Sequence, residues 1–178
     1  TLMLYHILKE ENLKVGYIST IGAKIGDQDL DTGLHVTTPD PWMVPKYLDQ
    51  MVKEGVEYVV LESTSNGFQQ NRLWGIEFDG GIITNIKSDH LDYHGTWENY
   101  AKAKFQLVKQ IKNKGLIVLN KEDKNSFEWI KEQISSQRLD VNMKEVSASQ
   151  TLNIKHSING LTFVWQSLEF ELHLIGKY

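Results

Sequence analysis

The chain of 178 residues has no cysteine. That absence excludes disulfides, thiolate zinc sites and cysteine nucleophiles together, and it fits a reducing compartment. No apolar run approaches the roughly 18–20 residues of a membrane span, and no signal-peptide pattern opens the sequence. A cytoplasmic protein with no membrane partner is expected. Positive charge is not in excess either. The formal net charge is −4, so composition implies no surface for nucleic acid or anionic lipid. Internal repeats and low-complexity segments are missing. What is present is ordinary: 40% hydrophobic and 24% charged residues, in a length that suits one domain with a real core. Thr1 leads straight into a helical pattern, so the chain is expected to be a piece of a longer protein.

Helical and strand patterns alternate. Leu2 to Leu13 reads as a helix with Leu4, Ile7 and Leu8 on one side. "KVGYIST" (Lys14 to Thr20) reads as a strand and "YVVLEST" (Tyr58 to Thr64) as a buried one. Between them, Pro45 suits the first turn of a helix that ends near Gly55. "GIITNI" (Gly81 to Ile86) and "LIVLN" (Leu116 to Asn120) are further short β-branched runs, each followed by polar residues and a helix. The alternation predicts an α/β fold, a mostly parallel sheet with helices on both faces. Towards the end the period changes to two. Asn159-Gly160 is a hairpin signal between "LNIKHS" and "LTFVWQ", and a small antiparallel β region is expected over residues 144–178. In open parallel sheets ligands gather beyond the carboxyl ends of the strands. Glu62 to Ser65, Asn85 to His90 and Asn120 to Asp123 lie at such ends and are expected to face one crevice.

One stretch stands out: "SDHLDYHGTWENYAKAK", from Ser88 to Lys104. His90 and His94 are four apart, a zinc spacing on a helix. Gly95 follows at once and the segment leaves a strand end, so a loop is predicted. No third nitrogen or sulfur ligand is near, whereas Glu62, Asp89 and Asp92 offer oxygen, which favours magnesium. Thr96 is a plausible N-cap for a helix through Lys114, with Gly115 beyond its end. At about 100° per residue, Trp97, Ala101, Val108 and Ile111 line one side. Lys104 falls within that stripe, where it is either buried at a cost or snorkels to the edge. Lys102 falls opposite, one turn after Glu98, as an ordinary surface charge. Thr37 and Thr38 in "TTPD" either cap a helix or bind an anion at its start. Glu62 is exposed by its strand's end or is a ligand. Arg72 is a solvated charge or a clamp for phosphate or carboxylate.

Together these residues resemble the Mur ligase family, of the MurE type that adds the third amino acid of the peptidoglycan stem. "TTPDP", "ESTSNGFQQNR", "TNIKSDHLDYHGTWENYAKAK" and "LNKEDK" stand in the family's order and spacing over nearly the whole chain. The resemblance implies the central ATP-binding domain over residues 1–178, with a P-loop NTPase-like fold. The glycine-rich phosphate loop would lie upstream of Thr1, and the N- and C-terminal domains outside the chain. It implies ATP-dependent phosphorylation of the D-glutamate carboxylate of UDP-N-acetylmuramoyl-L-alanyl-D-glutamate, then attack by the amine of diaminopimelate or lysine. Such a protein serves cell wall biogenesis, cell shape and cell division. By match to the motifs, Glu62 and His90 would bind Mg2+, and Lys104 would join them as a carbamate. Those three would be catalytic. Asn85, Asn120 and Asp123 would lie near ATP. Thr37, Thr38, Thr64, Gln70 and Arg72 would hold the UDP-muramoyl substrate. The isolated segment, lacking the phosphate loop, is expected to be inactive.

Two departures from the pattern matter. The family's E-V-S-S-H reads Glu62-Ser63-Thr64-Ser65-Asn66, so an asparagine replaces the histidine. Its N-x-D-D reads Asn120-Lys121-Glu122-Asp123, which keeps the charge. A folylpolyglutamate or cyanophycin type of ligase is the alternative within the superfamily. A non-catalytic binding module on the same fold is the alternative outside it.

Overall fold

The computed structural model describes residues 1–32, 37–87, 91–157 and 160–172. Expectations that fall on Asp89, His90 and the Asn159 turn lie outside the described residues. The chain divides into two compact units, Thr1–Phe78 with Ser88–Gln110, and Asp79–Lys87 with Ile111–Tyr178.

In the first unit, α1 (Leu2–Glu10) leads to β1 (Val15–Ser19), β2 (Gly22–Ile25), β3 (Gln28–Leu30), α2 (Met43–Lys53), β4 (Tyr58–Leu61) and α3 (Ser65–Gln69). After the excursion into the second unit come α4 (Leu91–His94) and α5 (Trp97–Lys109). β1 pairs in parallel with β4, from Val15↔Tyr58 to Ile18↔Leu61. Antiparallel β2 and β3 extend its other edge, giving the order β3-β2-β1-β4. That hairpin was not anticipated. Its signal was the Gly26-Asp27 pair between two short runs, where Gly26 adopts φ +56°. The core is Ile18, Ala23 and Ile25 of the sheet against Val44, Tyr47 and Met51 of α2, with Phe68 and Leu73. Val44, Tyr47 and Met51 recur at helical spacing on one face, and Pro45 sits in the first turn as expected. On α1 the side carrying Leu4 and Ile7 is exposed and Tyr5 is the buried residue.

In the second unit, β5 (Phe78–Ile83), β6 (Ile111–Asn120) and β7 (Val141–Val146) form a sheet in the order β5-β6-β7, with α6 (Lys124–Ser136) between β6 and β7. β6 and β7 run parallel, from Gly115↔Val141 to Asn120↔Val146. Ile83, Ile86, Ile117, Leu119, Phe127 and Ile130 are buried. A separate antiparallel sheet follows, of β8 (Thr151–Ser157), β9 (Gly160–Trp165) and β10 (Leu168–Leu172). Phe163 stacks on Phe170 across it at 5.2 Å. No helix among the described residues is long and apolar enough to cross a membrane.

Several boundaries differ from expectation. The helix from Trp97 stops at Lys109 rather than Lys114, because Phe78 N–H captures the Gln110 carbonyl and Ile111 onward joins the sheet. Lys114 then takes φ +63° inside β6. β5 starts three residues before Gly81 and ends at Ile83. β4 is not buried: it is an edge strand of its sheet, and Tyr58 and Val59 are exposed. Lys144, the expected start of the antiparallel region, lies in β7 of the parallel sheet, and the antiparallel sheet begins at Thr151. Residues 91–94 form one helical turn rather than a loop, closed by Gly95 at φ +74°.

Candidate functional site

The first unit gathers polar side chains from five stretches of sequence. Glu62 leaves the carboxyl end of β4, and its N–H is held by the Ile18 carbonyl at 2.8 Å. Its carboxylate accepts from two hydroxyls: Thr1 Oγ1 to Oε2 at 3.1 Å and Thr20 Oγ1 to Oε1 at 3.3 Å. Thr20 Oγ1 also lies 2.8 Å from Thr37 Oγ1. Thr1 stands at the N-terminus of α1, where its carbonyl accepts the Tyr5 N–H. Thr20 directly follows β1, so it occupies the strand-end position that holds ligands in open sheets. Neither Thr1 nor Thr20 was singled out as part of the site, although the strand-end rule applied to "KVGYIST" identifies Thr20.

Thr38 is 2% exposed and serves the scaffold. Its Oγ1 accepts the Thr64 N–H at 3.1 Å and lies 3.3 Å from both the Glu62 carbonyl and Thr64 Oγ1. Thr64 in turn caps α3 by accepting the Gly67 N–H at 3.0 Å. Gly67 is fixed by this packing, since a Cβ there would meet Thr38 Oγ1 at 2.8 Å. The capping role considered for "TTPD" is not what forms. The N-cap of α2 is Trp42, and Thr38 joins the β4–α3 connection instead.

Beyond α3, Arg72 is oriented on two sides. Its Nε–H donates to Gln70 Oε1 at 2.8 Å and Nη1–H to the Thr38 carbonyl at 2.7 Å, with Asp40 Oδ1 3.9 Å away. Gln70 Nε2 donates to Tyr93 Oη at 3.0 Å. The turn carrying Tyr93 is pinned by the buried His94, whose Nε2 lies 2.9 Å from Ser65 Oγ and whose carbonyl accepts Asn99 Nδ2 at 3.1 Å. His94 is therefore a packed core residue, ringed by Tyr93 and Tyr100. An open cleft of about 550 Å³ lies beside it, on the Lys102 side of α5, lined by Trp74 and Gln106 among others.

Lys104 takes the snorkelled of its two expected positions. It is half-buried rather than buried, and its Nζ lies 5.1 Å from the centre of the Tyr100 ring, a cation–π arrangement. The apolar face of α5 is made by Tyr100, Ala101, Ala103, Phe105 and Val108. Lys102 is exposed, as expected. Among the described residues no group of three or more His, Asp or Glu side chains gathers as a metal cage. The oxygen set around Glu62, with its two hydroxyl neighbours, suits a hard cation.

The second unit carries Asn85, Asn120 and Asp123. Asn120 Nδ2 donates to the Thr84 carbonyl at 2.9 Å, and Asp123 Oδ2 accepts the Ile86 N–H at 2.8 Å and Ser126 Oγ–H at 2.6 Å. Asn85 is half-buried between Thr84 and Ile86. The end of β6 thus fastens the chain that leaves β5.

The family described as "Mur ligase middle domain" matches residues 1–178. The chain belongs to the Mur ligase middle-domain family. It is similar to proteins named UDP-N-acetylmuramoyl-L-alanyl-D-glutamate--2,6-diaminopimelate ligase. Identity is 34% over 176 residues with that of Bacteroides thetaiotaomicron, covering 99% of this chain and 36% of the relative. It is 35% over 182 residues with that of Clostridium tetani, covering 100% and 36%. A solved structure of a ligase of the same name superposes with a TM-score of 0.78 at 26% identity, over 96% of this chain and 35% of that one. The apo form of L. casei FPGS shares the fold, with a TM-score of 0.61 at 16% identity over 97% of this chain and 49% of that one. The chain spans about a third of the length of the curated relatives it matches.

Within this Mur ligase middle domain, Asn66 stands where the familiar pattern has histidine. Its Oδ1 is buried with no partner among the described residues, so nothing in the structure explains the exchange.

Proposed function

We propose that this Mur ligase middle domain is the ATP-handling part of a cytoplasmic ligase that joins a third amino acid to UDP-N-acetylmuramoyl-L-alanyl-D-glutamate. The observation that carries the reading is the contact of Thr1 with Glu62. A threonine at a helix N-terminus, beside a carboxylate at a parallel strand's end, is how P-loop enzymes hold the metal of a nucleotide. Diaminopimelate is the amino acid in the relatives' names and is the one proposed here, with lysine as the alternative.

The chemistry is phosphoryl transfer followed by amide formation. An oxygen of the D-glutamate carboxylate attacks the γ-phosphorus of ATP, and ADP leaves. The amine nitrogen then attacks the acyl carbon, phosphate leaves with the carboxylate oxygen, and the amine gives up a proton. The protein's part is to position charge. Magnesium, when bound, supplies neutralisation of the transferring phosphoryl charge. Glu62 with the Thr1 hydroxyl offers it hard oxygen donors, and His90 and a carbamylated Lys104 are proposed to complete the set. The half-exposed position of Lys104 does not itself demand that its charge be removed, so the carbamate rests on the motif. Arg72, with Thr37, Thr64 and Gln70, is proposed to hold the UDP-muramoyl substrate, and Thr38 to shape that site from beneath. Asn85, Asn120 and Asp123 are proposed to lie near the nucleotide.

The test is ADP release by the full-length protein. It should require both the UDP-muramoyl-dipeptide and a diamino acid, and Glu62→Ala should lower it by about 100-fold or more. ATP turnover that ignores the UDP-muramoyl substrate would sink the assignment.

A further inference from the structure

Gln70 links Tyr93 to Arg72. Its amide is used at both ends: Oε1 accepts from Arg72 Nε–H at 2.8 Å, and Nε2 donates to Tyr93 Oη at 3.0 Å. Turning the amide over would set its NH2 against the Nε–H of Arg72, donor against donor. The Arg72 Nε–H therefore sets which way round the amide faces, and the Tyr93 hydroxyl, accepting from Nε2, holds the amide where it meets the guanidinium. With Nη1 held by the Thr38 carbonyl and Asp40 Oδ1 3.9 Å from it, the Nη2 edge of Arg72 has no partner among the described residues and can meet an anion.

Tyr93 is itself held in place. It sits on the α4 turn, which the His94–Ser65 and Asn99–His94 contacts fasten to α3 and α5. Its ring stands edge-on to His94, with centroids 5.1 Å apart. At 45% exposure Tyr93 contributes little to the core, so its hydroxyl is not there to fill space.

We propose that Tyr93 is a positioning residue for substrate binding, acting on Arg72 through the Gln70 amide. The proposal rests on the reading that Arg72 holds an anionic group of the UDP-muramoyl substrate. Gln70 joins the tyrosine to the arginine, and its amide has a second N–H and a second lone pair with which to meet the substrate.

The experiment uses the full-length protein and measures calorimetric affinity for UDP-N-acetylmuramoyl-L-alanyl-D-glutamate without ATP, together with KM and kcat. Tyr93→Phe should weaken binding and raise KM for that substrate by about 3- to 10-fold, the range for one neutral hydrogen bond. The kcat and the KM for ATP should hold. Gln70→Ala should weaken binding at least as much, and Tyr93→Phe added to Gln70→Ala should cost nothing further, because Tyr93 acts through Gln70. Arg72→Ala is the reference and should weaken binding most. If Arg72→Ala binds poorly but Tyr93→Phe binds normally, the positioning role is overturned and the reading of Arg72 survives. If the Tyr93 and Gln70 effects multiply, Tyr93 acts independently of Gln70 and the proposal is overturned. If Arg72→Ala binds normally, the substrate reading falls first and the positioning role with it.

Discussion

The two units use the same strand-end positions for different purposes. At the end of β4, Glu62 bonds to hydroxyls of Thr1 and Thr20, both exposed side chains from distant parts of the sequence. At the end of β6, Asn120 and Asp123 bond to backbone: the Thr84 carbonyl and the Ile86 N–H. A backbone group bonded to a side chain has no better partner waiting, so such a side chain contributes to stability. A carboxylate whose partners among the described residues are exposed hydroxyls can exchange them for a ligand at little cost. The first unit should therefore lose activity when its polar groups are cut, and the second should lose stability.

Lys104 gives the largest effect on the first side of that comparison. In the full-length protein, Lys104→Ala should lower ligation by about 100-fold or more, with a small carboxylic acid partly restoring it. Its stability cost should be small, about 0.5–1 kcal/mol for the lost contact with the Tyr100 ring. Lys102→Ala, two residues away on the exposed side, is the control and should ligate normally. Equal activity of Lys104→Ala and Lys102→Ala would rule out the carbamate.

Asp123 tests the other side. Asp123→Ala removes the acceptor for the N–H of Ile86, which is 2% exposed, and for Ser126 Oγ–H. It should lower stability by about 1–3 kcal/mol in denaturant unfolding, the usual cost of losing a buried acceptor. Asp123→Asn keeps an acceptor oxygen and should lose much less. If Asp123→Asn unfolds like the parent but binds ATP more weakly, the carboxylate has a nucleotide role as well, and the contrast between the units narrows.

The order of elements was legible because apolar runs of β-branched residues separated by polar stretches carry it locally. β1, β4, β6 and the hairpin pattern of β8 and β9 follow directly from such runs. What was not legible depended on partners remote in sequence. The end of α5 is set by Phe78 pairing with Gln110, and no propensity of Ile111 to Lys114 reveals it. The helical angle left Lys104 two positions, buried or at the edge, and Tyr100, one turn before it, decides for the edge by offering its ring to the ammonium. Thr38 read as a cap because caps are local, whereas its actual partner is Thr64, 26 residues later. The Arg72–Gln70–Tyr93 line joins a local pair to a residue beyond β5, and only the folded chain brings them together.

The smallest effect comes from Glu122, which belongs to the backbone-bonded side. Its Oε1 accepts Ser147 Oγ–H at 2.5 Å and Ala148 N–H at 3.0 Å. These bonds, the Ser147 hydroxyl first, hold its carboxyl below the ordinary value of 4.5. A carboxyl whose folded value is depressed adds stability that is present above the unfolded value and lost as pH falls through the folded one. Glu122→Gln should therefore be slightly less stable than the parent at neutral pH, by less than Asp123→Ala. Thermal unfolding across pH should show the gap closing as pH drops below 4.5. The amide oxygen of glutamine can still accept from Ala148, so the gap measures only the contribution of the charge. A difference that persists unchanged in acid would mean that glutamine disturbs the Ser147 turn itself, and the bond would then be a matter of shape, as it is for Asn120.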